Sequence, residues 1–312
     1  MSIVCMGEVL IDFVALESGV TVGEASGFVK APGGAPANVC VAAARLGMPA
    51  AFLGQVGDDP FGHHLADVLR REGIDVRGLL FSHEARTMLA FVSLGANGER
   101  SFSFYRNPSA DMLLRPEEVV YDVIDDKRIF HYGSITMIDE PSRSALVAAL
   151  EYARDHGLII SYDPNLRLNL WPDADTARTG MIAGLDYATV LKVSEEELEF
   201  ITGGDDVTPL WRDGMKLIVV TRGAAGSSAF TRSTRADAPG FAVTSVDTTG
   251  AGDGFVAGML AGVLEHGAEN AEKLPDMLRF ANAVGAITTT KKGAIPALPT
   301  RAEALAFMKE RS

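Results

Sequence analysis

Short apolar runs alternate along the chain with segments whose apolar residues recur every three or four positions. A short apolar run is typical of a strand buried on both faces, and the wider spacing is typical of a helix that buries one face. The predicted strands are 2–10, 50–57, 128–134, 157–165, 187–194 and 216–223, and the predicted helices are 36–47, 60–73, 142–156, 173–184, 254–267 and a segment that begins at Glu195. This alternation predicts a three-layer α/β/α sandwich around a mostly parallel central sheet.

Two stretches, 11–31 and 87–106, depart from this rhythm. The first has the composition of strands joined by Gly-rich turns, and the second that of a hairpin that turns at Asn97–Gly98. Ligands of α/β proteins bind at the carboxyl ends of the parallel strands. We therefore expect the two inserts to form a small β-sheet lid over that edge, within one domain that spans 1–312.

The charge balance excludes two classes of partner. The 312 residues include 41 Asp and Glu against 28 Lys and Arg, which gives a net charge of -13. Such a surface repels nucleic acid and anionic lipid, and no apolar run reaches the length of a membrane span. The two cysteines are too few for a disulfide framework and indicate a reducing compartment. We expect a cytoplasmic protein without nucleic-acid or membrane partners.

The segment DTTGAGDGFVAGML, residues 247–260, places a Gly-rich turn before an apolar helix. Such a turn exposes backbone N–H groups at the positive end of the helix dipole, which is a binding site for phosphate. Gly250 and Gly252 let a phosphate approach because they lack side chains. Asp253 would repel a phosphate that was merely bound, but phosphoryl transfer needs a base for the attacking hydroxyl group. The alternative is that Asp253 is an ordinary acidic residue of the first helical turn.

This segment resembles the C-terminal signature of the ribokinase-like (PfkB) carbohydrate kinases. Residues 32–75, which begin PGGAPANVCVAAARLG, resemble the family's N-terminal signature, and the two occur in the family's order over nearly the whole chain. The resemblance implies a ribokinase-like fold and ATP-dependent phosphorylation of a primary sugar hydroxyl group, with Mg2+ and K+ as ions. It also implies that Asp253 is the base and that Gly250, Ala251 and Gly252 form the anion hole.

The same resemblance implies that Asp12, Gly33, Gly34 and Asn38 hold the hydroxyl groups of the sugar. These residue types suit a sugar, because carboxylates accept hydrogen bonds, amides both donate and accept, and glycines let the backbone come close. The alternatives are that Asp12 is a solvated residue at a strand end and that Asn38 only caps a helix.

The nucleotide site implied by the resemblance follows later in the chain. TRGAAG, residues 221–226, resembles the family's TxGxxG segment, and KVSEEE, residues 192–197, stands where the family often has NxxE. In that register Glu195 would organise Mg2+ through water, and Lys192 replaces the Asn and could meet a phosphate as a point charge. The alternative for Lys192 is a surface lysine. The implied ATP-binding residues are Lys192, Glu195, Thr221, Gly223, Gly226 and Asn282.

TTTKKGAIPALP, residues 288–299, resembles the segment with which the family binds a monovalent cation. Hard oxygen ligands around a turn suit potassium. The alternative is a C-terminal surface turn. The implied ligands are the carboxylate of Asp247 and the carbonyl groups of Thr249, Thr288, Lys291 and Gly293.

Two further segments, 104–114 and 163–171, look most like those of fructokinases, so D-fructose is the expected substrate and fructose 6-phosphate the expected product. Arg106 and Arg167 lie in these segments and could both face the substrate. Two guanidinium groups could instead bind a carboxylate, as in the related 2-keto-3-deoxygluconate kinases, and aminoimidazole riboside kinases are another relative. A structural alternative is that Asn165 and Arg167 tie the strand end into the loop.

A hypothesis of a different class is a non-catalytic sugar or nucleotide sensor on the same fold, although the base and the anion hole are intact in the sequence. The predicted lid carries Phe13, Val14, Phe28 and Val29 on a half-exposed face, and relatives commonly dimerise through such a sheet. We therefore expect a homodimer through the lid. The alternative is that these side chains close over the sugar.

Overall fold

The computed structural model describes residues 2–94 and 100–311. The strands are β1 (Ile3–Met6), β2 (Leu10–Ser18), β3 (Phe28–Gly33), β4 (Ala50–Gly57), β5 (Asp75–Ser82), β6 (Leu89–Leu94), β7 (Arg100–Tyr105), β8 (Ile129–Gly133), β9 (Ile159–Asp163), β10 (Val190–Ser194), β11 (Leu217–Thr221), β12 (Ser227–Phe230) and β13 (Arg235–Ala238). The α-helices are α1 (Ala35–Arg45), α2 (Pro60–Arg71), α3 (Ser142–Asp155), α4 (Ala174–Leu185), α5 (Glu195–Thr202), α6 (Ala251–His266), α7 (Leu274–Thr288) and α8 (Arg301–Glu310). None of the helices in the described ranges has the length and apolar character that crossing a membrane requires.

Nine strands of the described ranges form the central sheet, in the order β13-β12-β11-β10-β9-β8-β1-β4-β5. Neighbouring strands are parallel from β11 to β5, and only β12 and β13 at one edge are antiparallel. Because parallel strands end at the same edge, the residues that follow β8, β9 and β10 lie side by side. The predicted mostly parallel sheet is confirmed.

Alternating side chains of β1 show how the sheet is covered on both faces. Ile3 and Cys5 pack into the core that α1, α2, α6, α7 and α8 share, whereas Val4 and Met6 pack into the core shared by α3, α4 and α5. A strand buried on both sides needs apolar residues at every position, which explains the unbroken apolar runs of the sequence. The predicted three layers are therefore present.

The remaining four described strands form a separate small sheet in the order β3-β2-β6-β7. They lie in the two stretches that interrupt the α/β rhythm, and β6 and β7 are antiparallel as a hairpin requires. The predicted turn at Asn97–Gly98 lies outside the described residues. One detail differs from the prediction: strand residues alternate between faces, so Phe13 and Val14 cannot share one face. The ring of Phe13 stacks on that of Phe91, with centroids 5.1 Å apart.

The first predicted strand, 2–10, is divided between the two sheets. β1 ends at Met6, and β2 begins at Leu10 in the small sheet. Between them the backbone runs against the start of α1, since a Cβ added to Gly7 would lie 2.6 Å from Pro36 Cγ. Strands β5, β12 and β13 were not predicted, because each carries polar residues that break the apolar run.

Helix α6 packs against α1 and α7 in the interior. A Cβ added to Gly258 would lie 2.9 Å from Ala281 Cα, and one added to Gly262 would lie 2.6 Å from Met277 Cγ. Glycines at these positions therefore let α6 and α7 approach closely. This packing buries the first turn of α6, which contains Asp253.

Candidate active site

A cavity of about 190 Å³ lies between the small sheet and the carboxyl ends of β9 and β10. The start of α1 and the loop before α6 complete its walls, and Phe102 and Phe104 of β7 border it from the small sheet. The small sheet therefore has the place of a lid. The residues predicted from the sequence that border this cavity are Asp12, Gly34, Asn38, Arg167, Lys192, Thr249, Gly250, Gly252 and Asp253.

Asp253 is buried at the edge of this cavity. Its Oδ2 accepts a hydrogen bond from Asn38 Nδ2 at 2.8 Å, and its Oδ1 lies 3.4 Å from Asn165 Nδ2. Burial raises the pKa of Asp253, while the hydrogen bond from Asn38 and the charges of Arg167 and Lys192 limit the rise. A carboxylate with a raised pKa is a stronger base than a free aspartate, and two amides hold this one in a single orientation.

The N-terminus of α6 borders the same cavity. Gly250 precedes the helix in the left-handed conformation (φ 79°, ψ −2°), which glycine adopts without strain. The N–H groups of the first turn, 251–253, lie at the positive end of the helix dipole. The Ala251 N–H donates to the Thr248 carbonyl oxygen at 3.3 Å, so the N–H groups of Gly252 and Asp253 are the ones best placed to bind an anion. A Cβ added to Gly252 would lie 3.6 Å from Lys192 Nζ, so the ammonium group approaches this turn. The arrangement favours an anion.

Lys192, in β10, is paired with two acidic side chains. Its Nζ lies 3.1 Å from Asp163 Oδ2 and 3.8 Å from Glu197 Oε2. Burial alone would lower the pKa of Lys192, but the two carboxylates raise it above the usual value, so the ammonium group stays charged. Burial, with the nearby acids, raises the pKa of Asp163 to about 7 although Lys192 opposes the shift. The Lys192 side chain is 12% exposed, which excludes a surface lysine.

The structure does not bring Glu195 to this cavity. Glu195 is exposed and borders a second cavity, of about 870 Å³, together with Glu199. Glu197 is the residue of this segment that is buried beside Lys192. It forms a capping box with Ser194, in which Glu197 N–H donates to Ser194 Oγ and Ser194 N–H donates to Glu197 Oε2. Successive helix residues are rotated by about 100°, so positions two apart face opposite sides.

The described residues contain no group of three or more His, Cys, Asp or Glu side chains arranged as ligands for a metal ion. Mg2+ keeps most of its waters and binds phosphate oxygens with one or two carboxylates rather than a complete protein cage. Asp163 and Glu197 are the carboxylates beside Lys192 and therefore the candidates near that ion.

The glycine pair at the end of β3 brings the backbone close to two acidic residues. A Cβ added to Gly33 would collide with the carboxylate of Asp12, which lies in β2 two residues after Leu10, the partner of Gly33. Gly34 has a φ of 106° and begins α1, where its carbonyl oxygen accepts from the Asn38 N–H at 2.8 Å. A side chain at Gly33 would displace Asp12, and one at Gly34 would collide with the Glu8 carbonyl oxygen. The predicted sugar-binding residues thus form one connected wall.

Arg106 and Arg167, predicted together, have different surroundings. The Arg106 side chain is 3% exposed, and its nitrogens lie 2.9 Å from Asp111 Oδ2 and 3.0 Å from Asp139 Oδ2. These ion pairs fix the end of β7 to neighbouring loops, so the geometry does not support a ligand role for Arg106. Arg167 borders the cavity, and its charge acts on the pKa of Asp253.

The predicted nucleotide segment follows β11. Thr221 ends that strand, and Gly223 and Gly226 adopt positive φ values of 51° and 101°. A Cβ added to Gly226 would collide with the Ala238 carbonyl group, so this turn requires glycine. The amide of Asn282 already bonds to protein groups: Oδ1 accepts from Ser227 Oγ, and Nδ2 donates to the Ala238 and Pro239 carbonyl oxygens. Asn282 therefore joins α7 to the antiparallel edge of the sheet.

Asp247 joins the two segments predicted to bind a monovalent cation. Its Oδ1 accepts from the Thr249 N–H at 2.9 Å, and its Oδ2 accepts from the Gly293 N–H at 2.8 Å. Thr288 is the last residue of α7, where helix carbonyl groups lack partners one turn ahead, and Lys291 is exposed in the following turn. A carboxylate with several carbonyl oxygens is a donor set that fits potassium.

Three residues of the site were missed by the sequence reasoning, namely Glu8, Asp163 and Glu197. Glu197 had a signal, since the spacing Ser194-x-x-Glu197 is that of a capping box. Asn165 is the last residue of the predicted strand 157–165, but it lies beyond the end of β9 and has a positive φ of 48°, a conformation that asparagine tolerates. Glu8 had only the signal of a charged residue inside an apolar run.

Comparison with known proteins agrees with this geometry. Residues 1–301 match the pfkB family of carbohydrate kinases. The chain belongs to this family. The probable fructokinase-2 of Arabidopsis thaliana is 54% identical over 98% of this chain and 95% of its own length.

Solved structures give the same result. The fructokinase of Xylella fastidiosa with bound ATP is 37% identical, with a TM-score of 0.90 over 99% of this chain and 98% of its own. A double mutant of the Vibrio cholerae fructokinase, with fructose, ADP and potassium ion bound, is 37% identical, with a TM-score of 0.88 over 98% of both chains. The predicted family and ribokinase-like fold are confirmed.

Proposed function

We propose that this chain is an ATP-dependent fructokinase, which transfers the γ-phosphoryl group of ATP to the primary hydroxyl group of D-fructose and releases fructose 6-phosphate and ADP. The observation that carries this function is the buried Asp253 at a cavity that the N-terminus of α6 and the Lys192 ammonium group also border. The names and bound ligands of the relatives support fructose and ATP as the substrates.

Asp253 is the base in this proposal. Its carboxylate takes the proton as the sugar oxygen forms a bond to the γ-phosphorus and the bond from that phosphorus to ADP breaks. Asn38 and Asn165 hold the carboxylate, and its raised pKa makes proton acceptance more favourable. The carboxylate must be ionised before the reaction, so activity should fall as the pH drops through its pKa.

The first turn of α6 receives the negative charge of the transferring phosphoryl group. Backbone N–H groups of Gly250, Ala251, Gly252 and Asp253 form the anion hole, and Lys192 adds a fixed positive charge beside Gly252. ATP is used as its magnesium complex, and that ion neutralises phosphate charge. We assign the carboxylate near magnesium to Glu197 rather than Glu195, because Glu197 is the buried residue of the two.

The sugar lies between Asp12, Gly33 and Gly34 on one side and Asn38 and Arg167 on others. These groups offer acceptors and donors for several hydroxyl groups. Phe102 and Phe104 of the lid cover the cavity with apolar rings and exclude water, which would otherwise compete as the phosphoryl acceptor.

ATP extends from the anion hole along the segment after β11. Thr221, Gly223 and Gly226 form a turn that lets phosphate and ribose approach the backbone, and Asn282 shapes the wall near the adenine. Potassium lies between the loops that Asp247 joins. Ala294 follows Gly293 in that segment, and a Cβ added to Gly250 would lie 2.8 Å from Ala294 Cβ, so the cation loop supports the anion hole directly.

A coupled assay of ADP release with a panel of sugars tests the function. We expect turnover to be highest with fructose, and absence of ADP release with every sugar would support the non-catalytic sensor. The second candidate is a 2-keto-3-deoxygluconate kinase, which Arg167 beside the cavity favours because guanidinium binds carboxylate. Arg167→Ala should lose far more activity on the sugar acid, if that is the substrate, than a fructokinase loses on fructose.

We propose that the protein is a homodimer through the outer face of the lid. Phe91 contacts Phe13, Phe28 and Tyr105 there, with ring centroids 5.1–5.2 Å apart, and the Tyr105 side chain is 65% exposed. An exposed aromatic cluster of this kind is typical of a protein interface. Light scattering should give twice the mass of one chain, and Tyr105→Arg should halve it. Leu305→Arg, at an exposed position of α8, is the matched control.

We also propose a cytoplasmic location. Cys5 and Cys40 are buried free thiols in the structure, which suits a reducing compartment. Fractionation of cells that express the protein, followed by immunodetection, tests this location, and recovery in a secreted fraction would contradict it.

A further inference from the structure

Glu8 lies in the turn between β1 and β2, and the residue is only 2% exposed. Its Oε1 accepts a hydrogen bond from the Ala35 N–H, at the start of α1, at 3.0 Å. Its Oε2 is buried and has no hydrogen-bond partner among the residues that the structure describes. Glu8 borders the same cavity as Asp12, so a residue of the cavity wall carries a buried acceptor that has no donor among the described residues.

An unpaired buried carboxylate oxygen is costly. Such a group loses its contacts with water and regains them only if another donor arrives. Burial raises the pKa of Glu8 to about 7, and Asp111 adds to the rise, whereas hydrogen bonds from backbone N–H groups and the charge of Arg106 oppose it. Near neutral pH the group is therefore present both as a carboxylate and as a carboxylic acid.

A sugar hydroxyl group can donate a hydrogen bond to the ionised carboxylate of Glu8, whereas the NH2 group of a glutamine cannot accept one. The remaining cavity walls already supply the contacts assigned to Asp12, Asn38 and Arg167. Glu8 differs from these residues in that its other oxygen holds the amide of Ala35, directly after Gly34. A contact with the sugar would thus be coupled to the position of the α1 N-terminus.

We propose that Glu8 is a further substrate-binding residue, whose Oε2 forms a hydrogen bond with one hydroxyl group of the bound sugar and so contributes to the choice of substrate. This inference rests on the proposed function in that the ligand of the cavity is a sugar. The nucleotide is not involved in the contact, so the effect of changing Glu8 is confined to the sugar.

The test compares the wild-type enzyme with Glu8→Gln. Glutamine keeps an oxygen for the Ala35 N–H, so the start of α1 is retained, but it places an NH2 group where Oε2 lies. We expect the KM for fructose to rise by about 10-fold or more, the size of a lost hydrogen bond to a charged group, with the KM for ATP nearly unchanged. The rise in melting temperature that fructose induces should shrink in the same variant. Glu272→Gln, at an exposed position, is the matched control.

A series of monodeoxy analogues of fructose identifies the hydroxyl group. For the wild-type enzyme, kcat/KM with the analogue that lacks the contacted hydroxyl group should be lower than with fructose by about 10-fold or more. For Glu8→Gln, kcat/KM should be the same with the analogue and with fructose. An unchanged sugar KM and thermal shift in Glu8→Gln would overturn the proposal, as would equal losses on every analogue in both enzymes. A defect in the KM for ATP alone would also overturn it and leave a structural role. If the wild-type enzyme does not use fructose, the proposed function fails separately, and the same comparison is made with the sugar it does use.

Discussion

Asn38 Nδ2 donates a 2.8 Å hydrogen bond to Asp253 Oδ2, and this contact joins the first turns of α1 and α6. Both residues are buried, and they come from the two signatures that resemble the carbohydrate kinases. In the proposed mechanism the residue that binds the sugar is thus also the one that orients the base. We therefore expect sugar binding and activation of the sugar hydroxyl group to depend on this one pair of side chains.

Removing this donor should change the pH dependence of the enzyme. The Asn38 hydrogen bond lowers the pKa of Asp253, so Asn38→Ala should raise that pKa and move the acid limb of kcat/KM to higher pH. Asn38→Asp places a second negative charge beside the base and should move the limb further. The pH profiles of the three enzymes give the result, and identical acid limbs would contradict the role of Asp253 as the base.

Two glycines in α6 should separate activity from stability. A Cβ at Gly252 would meet only Lys192 Nζ, at 3.6 Å, so Gly252→Ala should fold with unchanged or slightly increased stability. Its kcat/KM for ATP should fall by about 10-fold or more, because the methyl group enters the anion hole. A Cβ at Gly254 would lie 2.9 Å from Thr288 Oγ1, so Gly254→Ala should lower the melting temperature. A Gly252→Ala enzyme with normal activity would remove the anion hole from the mechanism.

Lys192 should contribute both to kcat, by stabilising the negative charge of the phosphoryl group during transfer, and to the free energy of unfolding. Lys192→Met alone leaves Asp163 and Glu197 buried without their cation, which should cost about 3–5 kcal/mol of the free energy of unfolding. We therefore compare the double variant Lys192→Met/Asp163→Asn with the single variant Asp163→Asn. The charge of Asp163 is absent from both, so the loss of Lys192 leaves fewer unpaired buried charges. The double variant should have a kcat lower by about 10²-fold. Equal kcat values in the pair would show that Lys192 acts only as an ion-pair partner.

Glu8 should make stability depend on pH in the absence of sugar. Its pKa is raised by burial from 4.5 to about 7, so the folded state binds this proton more tightly, and the free energy of unfolding falls as the pH rises through that window. Glu8→Gln removes this loss and should gain up to about 3 kcal/mol relative to the wild type between pH 4.5 and pH 8. Denaturant melts across this range measure it. Glu272→Gln should show a constant difference, and a constant difference for Glu8→Gln would contradict the raised pKa.

The sequence predicted the layers, the small sheet and most of the polar residues that border the cavity for physical reasons. Unbroken apolar runs are required where strands are buried on both faces, and the turn before α6 requires Gly250 for its positive φ. It was harder to predict which of Glu195 and Glu197 is buried beside Lys192. Both are glutamates in one helical turn, and only the capping hydrogen bond with Ser194 distinguishes them.

Long-range ion pairs were beyond the sequence reasoning. Arg106 lies in a segment that looks like a substrate loop, but its partner Asp139 is 33 positions away and meets it only in the folded chain. A role for Glu8 could not be predicted from the sequence for a related reason. Its unpaired oxygen results from the packing around Ala35 and not from residues next to it in the chain.

The most direct test of the mechanism is Asp253→Asn, which keeps the size of the side chain and removes the base. Titration calorimetry with fructose and with an ATP analogue should show binding within a few-fold of the wild type, while kcat should fall by at least ~10²-fold. Near-normal turnover in a variant that binds both substrates would contradict the assignment of Asp253 as the group that accepts the proton of the sugar hydroxyl.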